Sequence, residues 1–318
     1  MYRLFSHAHY DFIGNRRKAY LASAILLAIG LAAALYGQAS QGSWARYGVD
    51  FTGGSVLQVR VPEARDAGDL RGPVGTAVTG AEITSFGDQA GEYLIRTPGT
   101  ADDDATQGPE AVVAALRAQF GEGVEVVRTE AVGAKVGGEL QTRALLAILI
   151  SFAATLVYLA FRFEWRFGVA AVIATAHDIL LTLGLIALLR LEISLTMVAA
   201  MLTIVGYSLN DTIIIFDRIR ENLKATRRTD FVATINRSIN ETLPRTVLTS
   251  VTTLVTLLSL FMFGGDFTRE FALILIIGIV LGTYSSIFVG SPALLEIEKR
   301  WPGETVKPKR TRTSPVRA

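Results

Sequence analysis

The apolar positions of this chain gather into long uninterrupted runs near both ends, with short alternating stretches between them. The first run covers residues 19–36, and five more follow at 144–161, 169–189, 193–216, 247–263 and 271–294. Each is about 17–24 residues, the length an α-helix needs to cross the hydrocarbon core of a bilayer. The pattern predicts six membrane-spanning helices: one, a large polar loop, then a bundle of five. Small residues near Ala34 and Ala39 also fit a cleaved signal peptide over the first run. The long polar region ahead of that run argues instead for a retained span.

Residues 37–143 are soluble in character. Tyr47-Gly48-Val49-Asp50-Phe51-Thr52-Gly53-Gly54-Ser55 leads into residues 56–61, which alternate like a strand. Residues 63–78 fit a helix, and 82–86 and 92–97 fit two strands joined by a turn at Gly87-Asp88. Asp102-Asp103-Asp104 reads as a loop. Residues 110–120 place Val112, Val113, Leu116 and Phe120 at helical spacing, and 124–132 read as a last strand. The predicted order, β-α-β-β-α-β, is the split ferredoxin-like α+β arrangement. Gly53-Gly54 is read as a turn and not as a phosphate cradle, because a strand follows and no Lys-Ser/Thr completes a P-loop.

Composition sharpens this picture. Half of the 318 residues are apolar and the mean hydropathy is +0.39, which favours membrane spans over one large soluble core. The net charge of +2 gives no nucleic-acid signature. The absence of cysteine excludes disulfides, thiol catalysis and Cys-ligated metal sites.

Where the charges fall matters more. Arg16, Arg17 and Lys18 flank the first span, Arg162 and Arg166 fill the second-to-third connection, and Arg218, Arg220, Lys224, Arg227, Arg228 and Arg237 fill the fourth-to-fifth. Lys299, Arg300, Lys307, Lys309, Arg310, Arg312 and Arg317 follow the sixth. All fall on one side if every run spans, and the positive-inside rule makes that side cytoplasmic. The expected organisation is a cytoplasmic N-terminus over residues 1–18, a first span at 19–36 and an extracytoplasmic α+β domain at 37–143. A five-helix bundle at 144–294 and a basic cytoplasmic tail at 295–318 follow. Within residues 217–243, Ile219, Leu223, Phe231, Ile235 and Ile239 alternate with charges, which suggests one or two amphipathic helices at the cytoplasmic surface. Membrane association and docking of a partner both fit that segment.

Polar residues inside the spans carry the candidate chemistry. A charge at the centre of a membrane helix costs about 2.5–3.5 kcal/mol on insertion scales, so each is a functional hypothesis. The fourth span carries Asn210-Asp211, and the third carries His177-Asp178 with Thr175 and Thr182 on the same face. At the fifth span Arg245 follows Pro244, and Thr249, Thr252, Thr256 and Ser259 continue its stripe at helical spacing. The sixth repeats small residues at Gly278, Gly282, Ser286 and Gly290, which lets helices approach closely. Asp211 precedes Asp217 by six residues, about 9 Å of helix, and Arg245 opens the returning helix near the same depth. The two are candidates to meet, as a proton-controlled switch or as a static pair fixing helix packing. His177-Asp178 fits either a packing hydrogen bond or part of a proton route. The threonine seam fits either that route or polar glue between helices. A metal role for His177 lacks a second membrane histidine or an HExxH pattern.

Taken together, several of these motifs resemble the SecD/SecF family of bacterial protein-export membrane proteins, within the RND superfamily, and SecF subunits in particular. The carriers are the Tyr47–Ser55 run above, Val132-Gly133 through Val136-Gly137, Ala176-His177-Asp178, and Val205-Gly206-Tyr207-Ser208-Leu209-Asn210-Asp211-Thr212. Phe216-Asp217-Arg218-Ile219-Arg220-Glu221-Asn222 and Thr242-Leu243-Pro244-Arg245-Thr246 complete them. The resemblance implies a SecD partner of the same six-span plan and a task in moving preproteins through the SecYEG channel with the proton gradient. It also implies proton conduction at residues matching Asp211 and Arg245. His177, Asp178, Asn210, Thr249, Thr252 and Thr256 are possible supporting residues. No enzymatic chemistry, cofactor, metal or nucleic acid is implied; membrane lipids are. The location implied is the inner membrane, with both termini cytoplasmic. Two other readings remain. Half of a small-molecule or lipid RND exporter would normally need larger outer domains. An intramembrane aspartyl protease would use Asp178 and Asp211 as its two carboxylates, yet the chain has His-Asp and Asn-Asp where those enzymes carry Tyr-Asp and Gly-x-Gly-Asp.

Overall fold

The computed structural model describes residues 9–62, 64, 66–86, 91–99, 107–225 and 230–302. The expected Gly87-Asp88 turn, the Asp102-Asp103-Asp104 loop, Arg227, Arg228, and Lys307, Lys309, Arg310, Arg312 and Arg317 of the tail lie outside them. The described chain runs α1 (Arg16–Gln41), β1 (Arg46–Tyr47), α2 (Val49–Thr52), β2 (Gly54–Arg60), α3 (Ala67–Ala77), β3 (Glu82–Ser85), β4 (Glu92–Pro98) and α4 (Gln107–Phe120). It continues through β5 (Glu125–Val132), α5 (Ala134–Arg162), α6 (Trp165–Leu189), β6 (Glu192–Ile193) and α7 (Leu195–Ala225). The last elements are α8 (Phe231–Phe263), α9 (Asp266–Ser285) and α10 (Ser291–Arg300), the latter two joined by a π-turn at Ser286–Gly290.

Among the described residues six helices are long and apolar enough to cross a membrane: α1, α5, α6, α7, α8 and the combined Thr268–Arg300 run. Their apolar windows separate centre from periphery. About half of the window is buried in α6 (44%), α7 (50%) and the last helix (56%), against 17% in α1 and α8 and 6% in α5. Hydrophobicity alone does not draw helices together in lipid; close packing does, and small residues permit it. A Cβ built on Gly30 of α1 would lie 2.6 Å from the Gly184 Cα of α6, and one on Gly282 of α9 would lie 2.8 Å from the Ser208 Cβ of α7. Gly30→Val is therefore expected to push α1 off α6, seen as a lower thermal transition in mild detergent; an unchanged transition would show that this crossing adjusts freely.

The sequence pattern and the structure part company over residues 217–243. These are not separate surface helices. Residues 217–225 prolong α7, and 231–243 are the first turns of α8. The two extensions are stapled through Glu241, which accepts from Arg218 Nε at 2.6 Å, Arg237 Nε at 2.8 Å and Asn222 Nδ2 at 2.8 Å. Their apolar sides enter a buried cluster with Phe163, Phe167, Phe216, Ile219, Ile235, Ile239 and Leu294. An amphipathic pattern states only that one face is buried; here other helices cover it instead of lipid.

The same end of the bundle holds residues 10–14 on α8. Asn240 accepts from the Tyr10 N–H at 3.0 Å and donates to its carbonyl at 2.9 Å, while Asn236 accepts from the Ile13 N–H and donates to Asp11. The Gly14 N–H, and then the Asn236 amide, hold the Asp11 carboxyl below its ordinary range. A depressed carboxyl contributes stability above its unfolded pKa of about 3.9, which is lost as pH falls through the folded value. This segment is thus expected to come off α8 in acid, below about pH 4, with faster amide exchange over residues 10–14. Exchange there that ignores pH after correction for intrinsic rates would refute the tether.

The α/β unit comprises Ser40–Ser151 and Arg190–Ala199. Its four-stranded sheet has the order β3-β4-β2-β5 with every neighbouring pair antiparallel, and α3 and α4 are its crossovers, giving the β-α-β-β-α-β order. Leu57, Val59, Leu70, Val74, Tyr93, Ile95, Val112 and Leu116 form its core. The helix expected over residues 63–78 starts only at Ala67, because the Asp66 carboxylate caps the Gly68 N–H.

Two features move the expected domain boundary. First, β1 pairs in parallel with β6, bringing the 190–199 connection into this unit. The Asp50 carboxylate accepts from the Leu195 N–H at 2.8 Å, capping the start of α7 from a distant segment. Second, α5 is one helix running through residue 143. Its beginning rests on the Gly53-Gly54 turn. Gly53 has φ 71°, and a Cβ there would lie 2.6 Å from the Ala134 Cα. The turn read from the sequence is thus also a close backbone crossing, and Gly137 of α5 is part of it: its own Cβ would lie 2.9 Å from the Gly53 nitrogen.

Candidate functional site

The two aspartates of the membrane bundle stand in opposite circumstances. Asp178, on α6, is 1% exposed and fully engaged. Its Oδ2 accepts from Ser208 Oγ of α7 at 2.5 Å and from Ser285 Oγ of α9 at 2.7 Å, and its Oδ1 faces His177 Nδ1 at 3.0 Å. His177 Nε2 reaches Ser23 Oγ of α1 at 3.0 Å, and Ser23 meets the Tyr284 hydroxyl at 3.2 Å. Tyr284 in turn donates to the Ala19 carbonyl at 2.8 Å. One carboxylate and one imidazole thereby join α1, α6, α7 and α9.

With Tyr284 donating to Ala19, an imidazolium at His177 lets each remaining contact hold one proton: His177 to Asp178, His177 to Ser23, Ser23 to Tyr284. A neutral imidazole bonded to Asp178 draws the Ser23 proton to itself, leaving the Ser23–Tyr284 contact without one.

Asp211, on α7, is also 1% exposed, yet both of its carboxylate oxygens lack a hydrogen-bond partner among the described residues. It lies one turn beyond Ser208, the residue that binds Asp178. Arg245 of α8 acts on it through its charge, but no hydrogen bond joins them. Arg245 is exposed on the outside of the chain. A buried carboxylate without hydrogen bonds is the arrangement in which gaining or losing a proton changes the energy most. Two further buried hydroxyls, Thr182 of α6 and Thr246 of α8, also lack partners.

The expected supporting residues divide. His177 and Asp178 belong to the junction just described. Thr175 bonds its own helix at the Ala171 carbonyl. Asn210, Thr252 and Thr256 are exposed, and Thr249, Thr252, Thr256 and Ser259 all bond backward to carbonyls of α8. Among the described residues the hydroxyls of the threonine seam thus bond their own helix, and the seam lies on an open face together with Leu248, Val251, Val255 and Leu258. Sequence reasoning missed Ser23, Ser208, Tyr284 and Ser285. Ser208 stood in a quoted motif, three residues before Asp211, and was the one available signal.

The family described as "Protein export membrane protein SecD/SecF, C-terminal" matches residues 112–300, and the "SecD/SecF GG Motif" matches residues 45–61. The "Protein translocase subunit SecF" of Gemmatimonas aurantiaca is 46% identical over 310 residues, 95% of this chain and 91% of the relative. That of Pseudomonas aeruginosa is 37% identical over 290 residues, 90% of each chain. The crystal structure of SecDF, a translocon-associated membrane protein from Thermus thermophilus, superposes with a TM-score of 0.80 at 37% identity. It covers 94% of this chain, which spans only 40% of that longer one. With the family profile running through the helices that carry Asp178, Asp211 and Arg245, and with near full-length relatives, the chain belongs to the SecD/SecF family of protein-export membrane proteins, among its SecF subunits.

Proposed function

We propose that this chain works with a SecD-type subunit to draw preproteins through the SecYEG channel, driven by protons passing at Asp211 and Arg245. The observation that carries the reading is Asp211: buried between helices, unpaired at both oxygens, and within the field of an arginine that does not touch it. A proton on Asp211 cancels its charge and leaves Arg245 free to turn outward. Loss of the proton restores the attraction. One elementary charge crossing 100 mV carries about 2.3 kcal/mol, enough to bias two arrangements of α7 and α8.

The open face of α8 supports a partner. Arg245 and the polar stripe from Thr249 to Ser259 are costly against lipid and need cover from protein. SecDF, the relative in which SecD and SecF names are joined, suggests a SecD-type subunit as that cover. The arrangement of basic residues supports cytoplasmic termini and an extracytoplasmic α/β unit, where emerging preproteins would be met.

Depleting the chain is expected to accumulate unprocessed preproteins and to leave drug susceptibility unchanged. The opposite pattern would support a small-molecule exporter instead. The protease reading is disfavoured because three donors already occupy the Asp178 oxygens.

A further inference from the structure

We propose that the α/β unit carries a cleft for the phosphodiester headgroup of an anionic phospholipid, built around Arg190 and Arg96. The cleft encloses about 780 Å³, and Gln41, Arg46, Tyr47, Glu82, Arg96 and Arg190 are among its lining residues.

Its charges do not cancel. Arg46 faces Glu82 at 3.7 Å. Arg96 pairs with Glu192 through Nη2 and donates to the Tyr47 carbonyl through Nη1, but its Nε–H is buried without a partner. Arg190 donates through Nη2 to the Gln41 side-chain oxygen, and its buried Nη1 has no partner. Two carboxylates thus answer three guanidinium groups, and two of those groups keep an unused donor. A phosphate oxygen suits such donors, since the guanidinium fork matches phosphate geometry.

The backbone of Arg190 points the same way. With φ 54° it is the one non-glycine residue in the left-handed region among those described. It directly follows α6, at the position where glycine most readily ends a helix. A long cationic side chain in a backbone conformation that only glycine adopts without strain is the kind of outlier that clusters at ligand sites.

Depth selects a lipid as the occupant. Gln41 is the last residue of α1 and Arg190 the first after α6, so both stand where a membrane helix ends. Nearby, Trp44 packs edge-on to Tyr47 with ring centres 6.3 Å apart and donates its indole N–H to the Tyr47 hydroxyl at 3.0 Å. Trp and Tyr mark the headgroup level of bilayers. The connection over residues 190–194 also lies on the side opposite the basic connections when six runs span, where the positive-inside rule supplies no reason for a cation. The inference rests on that six-span topology and is independent of the proton cycle.

The test uses the full-length chain in nanodiscs containing phosphatidylglycerol and phosphatidylcholine, with no proton gradient applied, so its outcome is separate from that at Asp211. Native mass spectrometry is expected to find one more tightly held phosphatidylglycerol on the wild type than on Arg190→Gly, and Arg190→Lys should retain an intermediate amount. Without phosphatidylglycerol, Arg190→Gly should melt no lower than wild type, because glycine relieves the left-handed backbone; the lost lipid is then not a consequence of unfolding. Equal phosphatidylglycerol retention by wild type and Arg190→Gly would overturn the proposal. A thermal shift of the wild type with inorganic phosphate but none with phosphatidylglycerol would overturn the lipid assignment.

Discussion

Asp211→Asn is expected to assemble and accumulate normally while losing the stimulation of export by the proton gradient. The substitution keeps the size and shape of the side chain and removes its ability to carry a charge through a proton cycle. Neither carboxylate oxygen accepts a hydrogen bond among the described residues, so the bundle loses no such contact when the acid becomes an amide. The functional effect is bounded by the work available. One charge across 100 mV is about 2.3 kcal/mol, equivalent to roughly a 50-fold change in rate. Preprotein movement into inverted membrane vesicles, compared with and without an uncoupler, measures this directly. The variant should match uncoupled wild type under both conditions. If its export responds to the gradient as wild type does, Asp211 is not the coupling group.

Asp178→Ala should behave in the reverse way, damaging the bundle before any question of function arises. It removes the acceptor shared by three donors, Ser208 Oγ, Ser285 Oγ and His177 Nδ1, of which Ser285 alone keeps a second acceptor, the Gly282 carbonyl at 3.2 Å. Side-chain hydrogen bonds in membranes average about 0.6 kcal/mol and reach about 1.7 kcal/mol, so the total loss is about 2–5 kcal/mol. That is a large part of a typical folding stability of about 5–15 kcal/mol. Lower membrane levels and a lower thermal transition in detergent are the expected readouts. An Asp178→Ala protein that melts with wild type would show that α1, α6, α7 and α9 are held by packing alone. The two aspartates thus make a contrast within one protein, one variant losing coupling and the other losing assembly.

The contrast was only half legible beforehand. Asp211 stood out because a carboxylate in an apolar run is conspicuous. Asp178 was conspicuous for the same reason, and residue type could not separate them. What separates them is the supply of hydroxyl donors from Ser208 and Ser285, 30 and 107 residues further along the chain. Arg245 shows the same limit. Counting residues along two antiparallel helices placed it near the depth of Asp211, but rotation about the helix axis left its guanidinium exposed and unbonded to that carboxylate. The basic connection was misread for a related reason. Ile219, Ile235 and Ile239 declared a buried face without naming what buries it, and Glu241 and Asn222 settled the matter by stapling two helix extensions together.

The sequence by itself determined that this is a six-span membrane protein with one α/β unit. A bilayer of fixed thickness demands about 20 apolar residues per crossing, and strand alternation has a period of two. Both are local rules, readable within a window of one helix or one strand. Tertiary structure alone decided which aspartate is satisfied, which face of α8 stays open, and how Asp50 caps a helix that begins 145 positions later. Hydrogen-bond partners are chosen by proximity in space, and the residues concerned are separated by whole helices in the chain. Burial is written along a sequence; pairing is settled only when its helices meet.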